Sequence, residues 1–190
     1  VFNWFSVKKD LRNQGDLLVI DMEMTGLNPE EDTIVSAGSV MIQQGRIKLS
    51  TAEHHYFQAT SLMGADVGES AHIHMITDAQ REAQGESLSD WLLQLSSQLK
   101  ADAWVFHHAS IDMSFLKTYS LRTGIALPKV QIIDTLVIEK EKRSDDILDS
   151  HAQLNLNACR ARYGLPTYRQ HHAFSDALAT AELYLAQTHS

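Results

Sequence analysis

Four carboxylates and one imidazole carry most of the chemical information in this chain. Asp21 and Glu23 lie in LLVIDMEMTGL, Asp112 in HHASIDMSFL, and Asp176 with His171 in HHAFSDALATAEL. Each acid borders an apolar run, and carboxylates are rarely sunk into such surroundings unless paired or bound to a cation. Oxygen donors that converge suit hard divalent metals. Two such ions about 3.5–4 Å apart can clamp an in-line displacement at phosphorus. Four carboxylates offset the charge of two such ions. A histidine beside them can take a proton from water near neutral pH.

Spacing decides whether these groups can meet. Asp21 and Glu23 are two residues apart, so a strand puts both on one face and Ile20 and Met22 on the other. Thr25, Gly26 and Leu27 follow at once, a turn where backbone can approach a ligand closely. Asp112 and Asp176 each fall in the first turn of an expected helix, where capping and the helix dipole already favour acids. His171 precedes Asp176 by five residues. Five helical steps would put them on different faces, so they converge only with His171 on the preceding loop and Asp176 on the helix. His172 is the rival and is given the plain structural part. The joint pattern, not any single motif, carries the assignment.

The elements that must position these groups are legible from periodicity. A buried strand is expected over 17–20, with two more over 33–42 and 47–57 around the Gln44-Gly45 turn. Residues 58–70 read as a loop. A helix over 87–99 has Ser87 as its N-cap and Leu88, Trp91, Leu92 and Leu95 on one face. A strand over 103–106 is followed by a helix over 112–123 that stops at Gly124. A fifth strand over 130–133 leads to Asp134, the expected cap of a helix reaching Lys142. Residues 144–150, with Asp145, Asp146 and Asp149, read as a solvated acidic loop. A helix over 154–163 is stopped by Gly164 and Pro166. The last helix, 175–187, places Leu178, Ala181 and Leu185 inward. Three strands followed by alternating helices and strands give an α/β fold with a mixed five-stranded sheet flanked by helices.

Size and charge narrow the possibilities. The 190 residues and 44% hydrophobic content suit one domain with a real core. Residues 1–190 are therefore read as a single domain, with 1–15 as an N-terminal extension; Phe2, Trp4 and Phe5 suit an amphipathic element on the sheet. No run of about 18 apolar residues is present, so no membrane span is expected. The first residues lack the apolar core and cleavage site of a signal peptide. The single Cys159 excludes an internal disulfide and a cysteine-rich zinc site, and a cytoplasmic location is expected. A net charge of −8 argues against a broad grip on duplex nucleic acid. It leaves room for an enzyme that holds only a strand end.

Taken in order, DMEMTGL, HHASIDMSFL and HHAFSDALATAELYLA resemble the three motifs of the DEDDh 3′→5′ exonucleases. The likeness is closest to the epsilon proofreading subunit of bacterial DNA polymerase III and its stand-alone relatives, and runs from about Asp16 to Ala186. IHMIT resembles the family's IHGIT segment, and IDTL with LNLNACRARYGLP resembles its lead-in to the third motif. The resemblance implies a ribonuclease-H-like fold and two Mg²⁺ or Mn²⁺ ions on Asp21, Glu23, Asp112 and Asp176, with Asp21 shared. It implies His171 as general base, and Glu23 is counted with the catalytic set. It also implies contacts with the terminal nucleotide at Thr25, Gly26 and Leu27, and one near the scissile phosphate at His74, which equally suits a plain loop or helix-entry histidine; His107 and His108 suit either substrate contacts or strand-end polar residues. Met24 replaces a hydroxyl-bearing residue common in relatives, His108 stands where Asn is usual, and Met75 replaces the Gly of IHGIT.

The expected function is hydrolysis of single-stranded nucleic acid, DNA by preference, from the 3′ end to 5′-mononucleotides, with a DNA polymerase as a candidate partner. The alternatives are an oligoribonuclease-like activity on short RNA, to which DMEMTGL is also similar, and a non-catalytic module that binds nucleic acid or a polymerase. Zinc binding by the paired histidines is disfavoured, because neighbours on a strand point to opposite faces.

Overall fold

The computed structural model describes residues 15–59, 67, 70–97, 100–143 and 153–189. The N-terminal extension with its aromatic residues and the acidic loop over 144–150 lie outside the described residues, as does most of the loop over 58–70.

β1 (Leu17–Met24) is the central strand of a five-stranded sheet. It pairs antiparallel with β2 (Ile34–Gln43), which pairs antiparallel with β3 (Arg46–Tyr56). On its other side β1 runs parallel to β4 (Ala103–Phe106), and β4 to β5 (Gln131–Asp134), giving the order β3-β2-β1-β4-β5. Gln44 and Gly45 both have positive φ, 52° and 69°, the geometry of a tight hairpin turn whose twist matches its strands.

Alternation along β1 separates two cores. Leu18, Ile20 and Met22 pack with residues of α3 (Leu88–Ser97) and α4 (Ala109–Thr123). Leu17 and Val19 pack with α5 (Thr135–Arg143) and α7 (Ala173–His189) through Ile138, Ala181 and Tyr184. α6 (Leu156–Arg162) lies before α7 and is capped by Asn155, whose side chain accepts the Ala158 N–H at 2.9 Å.

The expected elements are present, with informative differences. β1 does not stop at Ile20: its pairing with β2 continues through Asp21↔Gly38 and Glu23↔Ser36, so both acids lie within the strand. α4 starts a turn earlier than expected, because the Asp134 carboxylate accepts the His108 and Ala109 N–H groups at 2.9 and 3.0 Å. On α7 the buried stripe is Ala173, Ala177, Ala181 and Tyr184, while Leu178 and Leu185 are only half-buried. Small side chains let this helix settle close to the sheet. Two further helices, α1 (Ala71–His74) and α2 (Asp78–Gln84), went unread because neither carries an apolar stripe. A polar anchor holds α2 instead: buried Arg81 donates from Nε to the Phe57 carbonyl at 2.8 Å. No helix among the described residues is long and apolar enough to cross a membrane.

Candidate metal centre and catalytic cleft

The face of β1 that buries Leu17 and Val19 continues, two residues at a time, into Asp21 and Glu23. Directly across from Asp21 on β2 is Gly38. A Cβ at Gly38 would collide with the backbone of Ala173 and Phe174. Its absence lets the first turn of α7 lie on the sheet, and that turn carries Asp176. Asp21, Glu23 and Asp176 each then offer a carboxylate oxygen within 4.8 Å of the others.

Asp112 approaches from the opposite layer, in the first turn of α4. It is outside that closest group of three but electrostatically coupled to Asp21 and Glu23. Its approach depends on Asp134, which also accepts the Leu136 N–H at 2.9 Å. One carboxylate thus ties the starts of α4 and α5 to the end of β5. The sequence identified Asp134 only as the cap of the second of these helices.

The electrostatics are those of crowded acids. Burial, then Asp112, Asp176 and Glu23, push Asp21 well above the usual carboxylate range. Burial and Asp176 push Glu23 up to about 8. Asp112 also rises to about 8 through burial, with Asp134 and Glu23 adding to it and backbone hydrogen bonds opposing. Burial raises Asp176, while hydrogen bonds from the His171 and His172 backbone and the two imidazoles pull it back. Like charges held this close favour protonation unless a cation offsets them. An all-oxygen donor set of this kind fits Mg²⁺ or Mn²⁺.

His171 is on the loop before α7, as convergence requires, and is exposed. Its N–H donates to Asp176 Oδ2 at 2.8 Å, and its backbone is left-handed at φ 60°. It lines a cleft of about 420 Å³ together with Asp21, Asp176, His107, His108 and Gln170. Leu136, Leu154, Asn155 and Leu156 form the rest of that lining, a wall the sequence did not single out. His107 steadies it by hydrogen bonds to Thr135 Oγ1 at 2.9 Å and the Leu154 carbonyl at 3.0 Å.

The remaining expected contacts divide. His108 lines the cleft and holds the N-cap position of α4 with φ 69°. Leu27 is 77% exposed. Thr25 and Gly26 have internal work: Thr25 Oγ1 donates to Asp32 at 3.1 Å, and a Cβ at Gly26 would strike the same carboxylate. Asp32, unread from sequence, is what holds this turn. His74 is buried, with Nδ1 accepting the Ile76 N–H at 3.1 Å and Nε2 paired with Ser70 Oγ at 3.0 Å. Both its ring nitrogens are thus engaged within its own segment. Met75 takes the left-handed conformation, φ 61° and ψ 18°, that glycine adopts at no steric cost.

Comparison with known proteins places this geometry. The family model described as Exonuclease (RNase T type) matches residues 18–184. The chain belongs to this exonuclease family. It is 29% identical over 169 residues to the PolC-type DNA polymerase III of Thermotoga petrophila, covering 88% of this chain and 11% of that protein. The PolC-type polymerase of Staphylococcus saprophyticus is 25% identical over 170 residues, with the same coverage of 88% and 11%. The chain thus spans about a tenth of the length of these curated relatives. Among solved structures, an exonuclease I matches with a TM-score of 0.74 at 16% identity, over 92% of this chain and 41% of that one. E. coli exonuclease I in complex with a dA16 oligonucleotide matches at 0.72 and 16%, with the same coverage of 92% and 41%. The mixed sheet and its helices are the ribonuclease-H-like fold of these exonucleases.

Proposed function

We propose that this chain is a metal-dependent 3′→5′ exonuclease that removes 5′-mononucleotides from single-stranded DNA. The observation that carries the reading is the convergence of Asp21, Glu23 and Asp176 within 4.8 Å, beside a cleft that also holds His171. Asp21, Glu23, Asp176 and Asp112 would hold two divalent cations, Mg²⁺ or Mn²⁺. Such ions supply Lewis-acid polarisation of the phosphodiester and neutralise charge developing on the attacking and leaving oxygens.

The protein's own groups do the rest. The His171 imidazole accepts the proton of the attacking water, and its backbone bond to Asp176 keeps it beside the carboxylates. The P–O3′ bond breaks, the shortened strand leaves with a 3′ hydroxyl, and the released nucleotide keeps its 5′ phosphate. Leu136, Leu154 and Leu156 give the cleft an apolar wall for a sugar or base. Holding one strand end this way needs no broad basic face, in keeping with the acidic chain.

DNA is preferred over RNA because the relatives in question are DNA polymerases and an exonuclease I bound to dA16. Association with a DNA polymerase belongs to the same proposal, since the matching stretch of PolC is part of a polymerase chain. The test is digestion of 5′-labelled single-stranded DNA and RNA of matched sequence, from dimers to about 20-mers, with Mg²⁺, Mn²⁺ or EDTA. A metal-dependent ladder shortening from the 3′ end, faster on DNA, is expected. Exclusive cleavage of very short RNA would replace this reading with the oligoribonuclease one. Failure to bind Mn²⁺ in calorimetry would end both.

A further inference from the structure

We propose that His54, on β3, is a positioning residue for this reaction: its ring packs against the tilted ring of His172, and through that contact it fixes the turn that presents His171 to the carboxylates. The inference builds on the reading of His171 as the general base.

The argument starts from one row across the sheet. Asp21 on β1 pairs with Gly38 on β2, and Gly38 pairs with His54 on β3. Paired positions point the same way, so Asp21 and His54 flank the gap that Gly38 leaves for the start of α7. On one side of the gap Asp176 meets Asp21 and Glu23. On the other, the His54 and His172 rings lie with centroids 4.6 Å apart and planes tilted by 49°. Tyr56, two residues along β3, supports His54 from a centroid distance of 4.5 Å.

His172 begins α7. Its carbonyl accepts the Asp176 N–H at 3.0 Å. Its Nδ1 faces the Ser175 N–H at 3.4 Å and Ser175 Oγ at 3.3 Å. Accepting the Ser175 N–H requires the ring proton to sit on Nε2. A fixed His172 therefore fixes the residue before it. His171 holds a left-handed backbone at φ 60°, a conformation that persists in a non-glycine residue only when its surroundings impose it. The Asp176 bond restrains His171 from the helix side, and the His54 ring contact restrains it through His172.

The environment of His54 suits a ring kept for its shape. Its Nε2 is buried and has no hydrogen-bond partner among the described residues. Burial, then His172 and His55, push His54 down to about 4, so the ring is uncharged at neutral pH.

The test compares His54→Ala and His54→Phe with the unmodified chain, using Mn²⁺-dependent digestion of a 5′-labelled single-stranded oligonucleotide. The ring ¹⁵N signals of His171 and His172 are read in parallel in the metal-free protein. His54→Ala should lower kcat about 10- to 100-fold with KM changed less than about twofold, the signature of a misplaced group rather than lost binding. Its His172 ring should change from one tautomer to an average of two. His54→Phe keeps a flat ring and should recover kcat to within about threefold. An unchanged kcat and tautomer in His54→Ala would overturn the proposal, as would a Phe variant no better than the Ala variant. Should the unmodified chain cleave nothing, the exonuclease reading fails, while the ¹⁵N signals still decide whether His54 orders His172.

Discussion

Glu23 has neighbours that oppose its own ionisation, and that tension defines the site at the scale of single residues. With its carboxyl at about 8 beside Asp176, the metal-free protein holds a proton there at neutral pH. Glu23→Gln copies the protonated form, so it should abolish cleavage yet raise the melting temperature of the metal-free protein at pH 8. A drop in that temperature would show the carboxylate is needed for folding instead. His171→Ala should cost on the order of 10²–10⁴ in rate, the usual loss on removing a general base. Near-normal turnover in His171→Ala with an inactive His172→Ala would move the general base to His172. These residues were readable because acids beside apolar runs violate the ordinary rule of burial. His54 was not readable: a histidine on a strand breaks no rule, and its importance comes from a partner more than a hundred residues away.

At the scale of elements, the site depends on how closely α7 approaches β2. A glycine inside a strand ordinarily weakens it, but Gly38 is the place where a helix start rests on the sheet. Gly38→Ala should lift that start, separate Asp176 from Asp21 and cost about 1–3 kcal/mol through overpacking. Activity should fall by about 10² or more, which a Gly38→Ala enzyme assay and melt would check together. The opposite lesson comes from α1. Sequence marked Met75 as a substitution for glycine but not that it would take a left-handed geometry. Its side chain is 60% exposed, so Met75→Gly should gain about 0.5–1 kcal/mol by relieving strain with little lost packing. Calorimetric melting measures that gain. Strands and the longer helices were legible from their apolar runs and from the turn and cap residues that bound them, such as Gln44-Gly45 and Gly124. The two short helices were not, since polar anchors such as Arg81 carry no period.

At the scale of the whole molecule, stability should depend on pH in a way that metal reverses. Glu23 and Asp112 ionise near 8 in the folded protein, against ordinary values of about 4 in an unfolded chain. Between those values the folded state binds more protons than the unfolded state, so stability falls as pH rises through the window. The buried histidines act in the other direction. His54, lowered to about 4, and His74 and His107, also lowered by burial, leave the folded state with fewer protons than the unfolded one up to about pH 6.5. Their contribution rises with pH and levels off about one unit above that point. From about 6.5 to 8 the change from the histidines is small and the carboxylates dominate. In EDTA the melting temperature should decline across it. Divalent cations bind the deprotonated cluster and release its protons, so the stabilisation by saturating Mg²⁺ or Mn²⁺ should be larger at pH 8 than at pH 6.5. Thermal melts at the two pH values, with and without metal, give the comparison directly. An equal metal increment at both would mean that binding displaces no protons, and the acids at the end of β1 would then not be the cation's ligands.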